Sequence, residues 1–201
     1  MATRPSTVKG TDGKPRCGWA SADPLYEKYH DSEWGRPLKD DQALFELLTL
    51  EGCQAGLSWI TVLRKRENYR KAYDGFDAKK IAKYTPAKLA KLLADPGIIR
   101  HRGKIEASVS NAKAYLAIVE REGSFAKFLW SFVGGKPLKK VRKTLKDVPA
   151  KSPESRPAAV VPYGVGRRVP TTAIIRVSSS SMRPRTNSSG GASYISRSRG
   201  G

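Results

Sequence analysis

Between residues 40 and 132, apolar side chains recur every three or four residues, which is the spacing of one buried helix face. The inward faces of the main predicted helices are, in chain order, Ala43, Leu44, Leu47 and Leu48, then Trp59, Val62, Leu63 and Tyr69, then Leu89, Leu92 and Leu93, then Ile105, Val109, Ala112 and Leu116, and last Phe125, Phe128, Leu129 and Phe132. No stretch before residue 150 alternates apolar and polar residues long enough to predict a strand. The pattern therefore predicts an all-α protein.

Residues that favour helix starts stand before these apolar faces. Asp, Ser and Thr side chains accept hydrogen bonds from the first N–H groups of a helix, and proline fits its first turn. The candidate caps are Asp23 before Pro24, Asp40, Asp41, Asp77, Thr85 before Pro86, and Ser124. We expect helices to begin just after these positions and after Ser58, and a further helix from Lys104 to Ile118.

Composition divides the chain into three parts. Residues 1–15 are polar, basic and rich in Gly, Thr and Pro, so we expect a disordered leader, with structure beginning near Arg16. Residues 16–155 carry the helical pattern and are long enough for one domain. Residues 156–201 form a low-complexity tail of Arg, Ser, Pro and Gly, in which we expect disorder.

The net charge of +20 indicates a polyanionic partner. Nucleic acid is favoured over a membrane surface because no basic amphipathic anchor is visible, and a generally basic protein without such a partner is the alternative. No apolar run approaches the roughly 18 residues of a membrane span, and the N-terminus lacks a signal-peptide core, so we expect a cytoplasmic protein. Cys17 and Cys53 are too few for a disulfide framework.

The segment 50–69 predicts a ligand pocket. It joins the acid Glu51 to Gly52, Gly56 and the indole of Trp59, followed by a helix with a basic outer face. Glycine removes the Cβ that would block a flat ligand from the backbone. The alternative is a core helix with an exposed glutamate and a packing tryptophan.

The segment 17–35 is dense in aromatic residues. Four aromatics and His30 fall within it, and a short helix from Pro24 can carry Tyr26, Tyr29 and His30. Such a density can line a pocket. The alternative is a small aromatic core in which His30 is satisfied.

A basic turn lies between two predicted helices at residues 96–105. The loop N–H groups and the following helix N-terminus can hold a DNA phosphate in the stretch bounded by Gly97 and Gly103, with charge from Arg100, Arg102 and Lys104. Such contacts position a duplex without reading its sequence. A plain helical hairpin with a solvated basic face is the alternative.

Four sequence motifs resemble those of one protein family. They are Tyr-His-Asp-Ser-Glu-Trp-Gly at 29–35, Gln-Ala-Gly-Leu-Ser-Trp at 54–59, Gly-Ile-Ile-Arg-His-Arg-Gly-Lys-Ile at 97–105 and Trp-Ser-Phe-Val at 130–133. The chain from about Arg16 to about Ser155 is similar to the bacterial 3-methyladenine DNA glycosylase I family, of the helix-hairpin-helix superfamily. The resemblance implies an enzyme that flips an alkylated adenine out of double-stranded DNA and hydrolyses its N-glycosidic bond.

The resemblance also assigns roles to residues. It implies that Glu51 is the recognition and catalytic carboxylate, that Tyr26 and Trp59 offer π faces to the cationic base, and that Tyr29 and Trp34 support the pocket wall. It further implies a monofunctional glycosylase with water as nucleophile, in which the basic hairpin residues contact phosphate. We expect a monomer without a protein partner.

The family carries a structural zinc whose N-terminal ligands correspond to Cys17 and His30. The remaining ligands would be a C-terminal His and Cys. The only other histidine and cysteine here are His101 and Cys53, which lie in the hairpin and in the pocket segment. A tetrahedral zinc normally needs four protein ligands, so the resemblance implies a site inherited in part.

The sequence departs from the family after Ser155. The family continues with helices that close the pocket, whereas this chain continues with the low-complexity tail, and Glu154 is its only acid after residue 150. We hypothesise a frameshift in a GC-rich gene. The alternative function is then a catalytically inactive, DNA-binding relic of the enzyme, and we expect little or no excision by this chain.

Overall fold

A computed structural model describes residues 7–20 and 23–137 of the chain. Helices α1 to α7 span Pro24–Ser32, Asp41–Gln54, Trp59–Ala72, Ala78–Ile81, Pro86–Ala94, Arg102–Glu122 and Phe125–Ser131. Strands β1 and β2 span Thr7–Lys9 and Pro15–Cys17, and short 3₁₀ turns span Gly18–Ala20 and Asp74–Phe76. The helical class is confirmed. The expectations for residues 138–155 and for the tail lie outside the described residues.

The N-terminal hairpin differs from the sequence expectation. β1 and β2 pair antiparallel, with Val8 opposite Arg16, so residues 7–15 are a defined hairpin where we expected a disordered leader. Strands of three residues are too short for an alternating pattern to be recognised. Arg16 is buried and its guanidinium donates to the carboxylates of Asp12 and Asp31, at 2.6 Å each. The hairpin is thereby attached to α1.

Two hydrophobic clusters form the core of the described region. The larger joins α2, α3, α4 and α6, and its fully buried members include Leu50, Val62, Tyr69, Tyr73, Phe76, Ile81 and Ile105. The smaller packs α7 against α2 and α6 through Leu44, Leu48, Ile118, Phe125, Ala126, Leu129 and Trp130. Within residues 7–20 and 23–137, no helix is both long enough and apolar enough to cross a membrane.

One predicted helix cap serves a different helix. Asp40 accepts from the backbone N–H of Ala43 at 2.7 Å and caps α2 as expected. Asp41 instead accepts from Ser124 Oγ and from the N–H groups of Phe125 and Ala126, at 2.9, 3.0 and 2.7 Å. Asp41 therefore caps α7, which ties the starts of two helices together.

Candidate functional site

Aromatic rings from separate chain segments form one cluster. Tyr26 and Tyr29 lie on α1, Trp34 follows α1, and Trp59 begins α3. The ring centroid of Trp19 is 5.2 Å from that of Tyr26 and 5.2 Å from that of Trp34. The ring centroid of Tyr29 lies 6.4 Å from that of Trp19 and 5.5 Å from that of Trp59, so Tyr29 connects Trp59 to the rings around Trp19. The structure thus brings together all four aromatic residues that were predicted to bind a base.

Trp19 is a central member that the sequence prediction did not select. It lies in the 3₁₀ turn after β2, half-buried, and contacts the rings on α1 as well as Trp34. The ring of His30 stacks on Trp34 at 5.4 Å with an interplanar angle of 17°. Aromatic density along the chain marks this segment, but only packing shows which ring connects the others.

The start of α3 carries two polar groups of the cluster. Ser58 makes no side-chain cap, and Tyr26 Oη instead accepts from the N–H of Ile60 at 3.2 Å. This bond satisfies one of the N–H groups that a helix start leaves unpaired. The indole N–H of Trp59 is buried and has no acceptor among the residues that the structure describes. Since buried donors are rarely left unpaired, this N–H can serve an acceptor on a bound molecule.

Glu51 lies on the last turn of α2 and is half-buried. Leu50 and Cys53 on the same turn are buried in the core cluster that also contains Tyr29 and Trp59. The carboxylate therefore stands on a helical turn that packs into the same core as the aromatic rings.

The turn between α2 and α3 is open. Gly56 has a φ of 79°, in the left-handed region that glycine adopts without strain. A Cβ built on Gly52 or on Gly56 would meet nothing within 4 Å in the described part of the chain. This space leaves room for the close approach of a ligand that the sequence predicted. Leu57 follows with 40% of its surface exposed.

The hairpin between α5 and α6 is held by a bond within the turn and by a bond to α3. Asp95 Oδ1 accepts from the N–H of Gly97 at 2.7 Å, and Tyr69 Oη accepts from the N–H of Ile99 at 3.1 Å. A Cβ on Gly97 would lie 3.2 Å from Asn68 Cβ and 2.9 Å from Asp95 Oδ1. Close packing therefore supplies a reason for glycine at 97 that is independent of DNA.

Two of the predicted phosphate-binding side chains are accessible. Arg100 is exposed, and the Arg102 side chain is 72% exposed with Glu106 at 3.4 Å. Gly103 is also exposed and belongs to the first turn of α6, a helix of 21 residues. The first N–H groups of a helix and the positive end of its dipole attract anions. Arg100 and Arg102 are therefore accessible to an anion beside this helix start.

Lys104 is placed differently from the other predicted phosphate contacts. Its Nζ donates to the backbone carbonyls of Cys53 and Ala55, at 2.9 and 2.7 Å. The ammonium therefore lies at the C-terminal end of α2, next to the turn that carries Glu51, and not on the outer face of the hairpin.

The residues that the resemblance predicted to be zinc ligands, Cys17 and His30, are only partly suited to that role. His30 Nδ1 lies 2.9 Å from Asp31 Oδ1, and His30 Nε2 is buried without a hydrogen-bond partner in the described region. A carboxylate on the second nitrogen is typical of a metal-binding histidine. Burial raises the pKa of the Cys17 thiol. However, no group of three or more His, Cys, Asp or Glu residues within 7–20 and 23–137 could hold a metal ion, so the residues present do not complete a tetrahedral site.

A helical domain with an aromatic cluster, a nearby carboxylate and an exposed basic hairpin has the features of a DNA-binding enzyme that accepts an extruded base. The model of the methyladenine glycosylase family matches residues 19–160. DNA-3-methyladenine glycosylase 1 of Escherichia coli (strain K12) is 51% identical over 140 residues, which are 70% of this chain and 75% of that protein. The chain belongs to the methyladenine glycosylase family, which confirms the resemblance.

Solved structures agree with this assignment. A crystal structure of 3-methyladenine DNA glycosylase I is 44% identical with a TM-score of 0.75, and the match covers 82% of this chain and 93% of that chain. A tyrosine-to-phenylalanine variant of 3-methyladenine DNA glycosylase I, in complex with 3-methyladenine, is 34% identical with a TM-score of 0.75, covering 85% of this chain and 94% of that one.

Proposed function

We propose that the protein is a base-excision repair glycosylase that flips 3-methyladenine out of double-stranded DNA and hydrolyses its N-glycosidic bond. The observation that carries this proposal is the aromatic cluster in which Trp19 connects Tyr26, Tyr29 and Trp34, and Tyr29 contacts Trp59, in a chain whose similar structures include a complex with 3-methyladenine. 3-Methyladenine within DNA is a cation, and its charge weakens the bond to the sugar. Recognition of that charge is therefore the main task of the pocket.

The aromatic rings and Glu51 divide this task. Trp59 and Tyr26 offer π faces, on which a cation gains about 0.5 to 2 kcal/mol, more when it is desolvated. Glu51 accepts hydrogen bonds from the base edge and stabilises the positive charge, while Tyr29 and Trp34 form the wall. Water forms a bond to C1′ of the sugar and loses a proton to solvent. The base leaves as neutral 3-methyladenine with the electron pair of the glycosidic bond.

The hairpin holds the DNA backbone beside the extruded nucleotide. Arg100 and Arg102 contact phosphates, and the backbone at Gly103, in the first turn of α6, adds a sequence-independent contact. The N–H of Gly97 already donates to Asp95 Oδ1, so Gly97 shapes the hairpin and leaves the phosphate to these residues. The Lys104 ammonium donates to two carbonyls and does not act as a Schiff-base nucleophile. The product is therefore an abasic site in an intact strand.

Leu57 is a further residue for base flipping that sequence reasoning missed. Its side chain is exposed on the turn between Glu51 and Trp59. Proteins that distort DNA often insert an apolar side chain between base steps. We assign Leu57 to the gap that the extruded base leaves, where it would slow the return of the base to the stack.

Release of the free base from alkylated duplex DNA by the purified chain tests the proposed function. An active chain should release 3-methyladenine, which chromatography detects, and strands should break only after alkali treatment, whereas the sequence after Ser155 favours little or no release. Lys113→Met, an exposed change on α6 away from the site, should behave as the unmodified chain. Intact alkylated DNA after prolonged incubation with a folded, DNA-binding chain would contradict the proposal.

A catalytically inactive DNA-binding protein is the second candidate function. It is favoured by the end of the family match at residue 160 and by the low-complexity sequence that follows, which contains no His, Cys, Asp or Glu. In this case the chain binds duplex DNA with strong salt dependence and releases no base. Sequencing the gene tests the frameshift hypothesis, because the pocket-closing helix and the missing ligand codons should appear in another frame.

We further propose that Cys17 and His30 do not hold zinc stoichiometrically in this chain. Two protein ligands leave half of a tetrahedral shell to water, and such a site is weak. Metal analysis of protein purified without chelator should find well below one zinc per chain. One tightly held zinc per chain would contradict this proposal.

Duplex DNA with alkylated adenine is the macromolecular partner that the proposed function requires, and the chain acts as a monomer in the bacterial cytoplasm. Light scattering of the purified protein should give the 22.1 kDa mass of one chain. A mass twice that value would contradict the monomer.

A further inference from the structure

Lys104 connects the basic hairpin to the helix that carries Glu51. The Lys104 side chain is half-buried, and its Nζ donates to Cys53 O at 2.9 Å and to Ala55 O at 2.7 Å. These two carbonyls flank Gln54, the last residue of α2. The contact spans 51 residues of sequence and is made by a residue in the first turn of α6.

The end of α2 needs this cation for a physical reason. The last carbonyls of a helix have no intrahelical donor, and they carry the negative end of the helix dipole. Ala55 leaves the helical conformation with φ −46° and ψ 118°, so its carbonyl turns away from the α2 ladder. An ammonium satisfies both carbonyls with charge-assisted hydrogen bonds. Lys104 thus fixes where α2 ends and where the open turn at Gly56 begins.

The other end of Lys104 is fixed within the hairpin. Its backbone N–H donates to His101 O at 3.0 Å and to His101 Nδ1 at 3.3 Å, which makes His101 the cap of α6. Ile105 and Ser108 on the same helix are buried, so the rotation of α6 about its own axis is fixed. A displacement of the hairpin is therefore transmitted to the turn that carries Glu51 through a side chain that is bonded at its Nζ end and belongs to a backbone held at the start of α6.

We propose that Lys104 is a positioning residue that sets the Glu51 turn and the Gly56–Leu57 turn relative to the DNA-binding hairpin, and that it is not a phosphate contact. This inference rests on the proposed function for its catalytic consequence but not for its structural one. Lys104 therefore has a different role from Arg100 and Arg102, although its charge and its position in the sequence predicted a phosphate contact for all three.

Three variants test the role of Lys104. Lys104→Met keeps the apolar stem and removes the donors, Lys104→Arg keeps charge and donors, and Lys113→Met is the control for loss of one positive charge on α6. Where Lys104→Met is too unstable for measurement, Lys104→Gln replaces it. Amide hydrogen exchange of the ligand-free protein needs no activity, and Lys104→Met should speed exchange across residues 52–57 by about 10-fold or more, because two charge-assisted bonds are lost. Lys113→Met should leave it unchanged.

Two further measurements connect Lys104 to function. Affinity for free 3-methyladenine, followed by tryptophan fluorescence, should weaken by about 10-fold in Lys104→Met and be largely restored in Lys104→Arg. The slope of log affinity for undamaged duplex against log salt should equal that of Lys113→Met. A phosphate contact would instead lower the slope by roughly 0.9.

The outcomes separate this inference from the proposed function. A wild-type chain that releases no base overturns the activity, while hydrogen exchange still decides whether Lys104 anchors the turn. Unchanged exchange across 52–57 in Lys104→Met, or unchanged base affinity together with a lower salt slope than Lys113→Met, would overturn the inference. Faster exchange with weaker base affinity and an unchanged slope supports it.

Discussion

Replacing Arg100 and Arg102 by Ala should weaken binding to any duplex and reduce the salt dependence of that binding. Each phosphate contact contributes roughly 0.9 to the slope of log affinity against log salt, so losing two should lower the slope by about 1.8. When salt rises from about 50 to 200 mM, the fold loss of DNA affinity should be smaller by a factor of roughly 3.5 for each contact removed, and by a factor of about 12 for two. Lys104 is excluded from this sum because its ammonium is bonded to α2.

The same helix offers a matched control. The Arg121 side chain is 65% exposed, and its Nε lies 2.8 Å from Glu122 Oε1. The Arg102 side chain is similarly 72% exposed, and its Nη1 lies 3.4 Å from Glu106 Oε1. At 1.5 Å per residue the two arginines are about 28 Å apart along α6, well beyond the Debye length of about 10 Å at 0.1 M salt. Arg121→Ala should therefore leave the slope nearly unchanged.

Fluorescence anisotropy with an undamaged duplex, titrated at several salt concentrations, measures these slopes. Thermal melts confirm that the variants are folded, since neither arginine is buried. Equal slopes in the double variant and the unmodified chain, or an equal reduction in Arg121→Ala, would refute the placement of the hairpin on the DNA.

The remaining predictions concern the pocket and the fold. Glu51→Gln should impair excision and binding of free 3-methyladenine while affinity for undamaged DNA stays nearly constant; equal loss of both would contradict a role in base reading. Asp41→Ala should lower the free energy of unfolding in urea by about 1 to 2 kcal/mol, because the N–H groups of Phe125 and Ala126 at the start of α7 lose their carboxylate acceptor, and a change below about 0.5 kcal/mol would contradict that role. The Arg16 guanidinium lowers the pKa of Asp31 from 3.8 to about 2 and also lowers that of Asp12. A depressed carboxyl pKa stabilises the fold above the unfolded value and is lost as pH falls through the folded value, so Arg16→Met should flatten the loss of stability between about pH 4 and pH 2 seen in melts of the unmodified chain. Identical pH profiles would refute the ion-pair account.

The sequence determined the helices because their causes are local. Apolar spacing identifies the face that must be buried, and caps such as Asp40 and Ser124 bond to the N–H groups of residues three positions later. The family also followed from the sequence, since long phrases such as residues 97–105 carry it without any knowledge of packing. Exposure of Arg100 and Arg102 could be expected because isolated charges are rarely buried.

Only the tertiary structure decided the contacts between distant segments. Asp41 caps a helix that begins more than 80 residues later, and Lys104 bonds to carbonyls about 50 residues earlier. Trp19 becomes the centre of the aromatic cluster because a hairpin, attached to α1 through Arg16, places it there. The sequence around a carboxylate or an ammonium does not show which partner it will bond. That partner depends on which backbone groups the packed helices bring within about 3 Å.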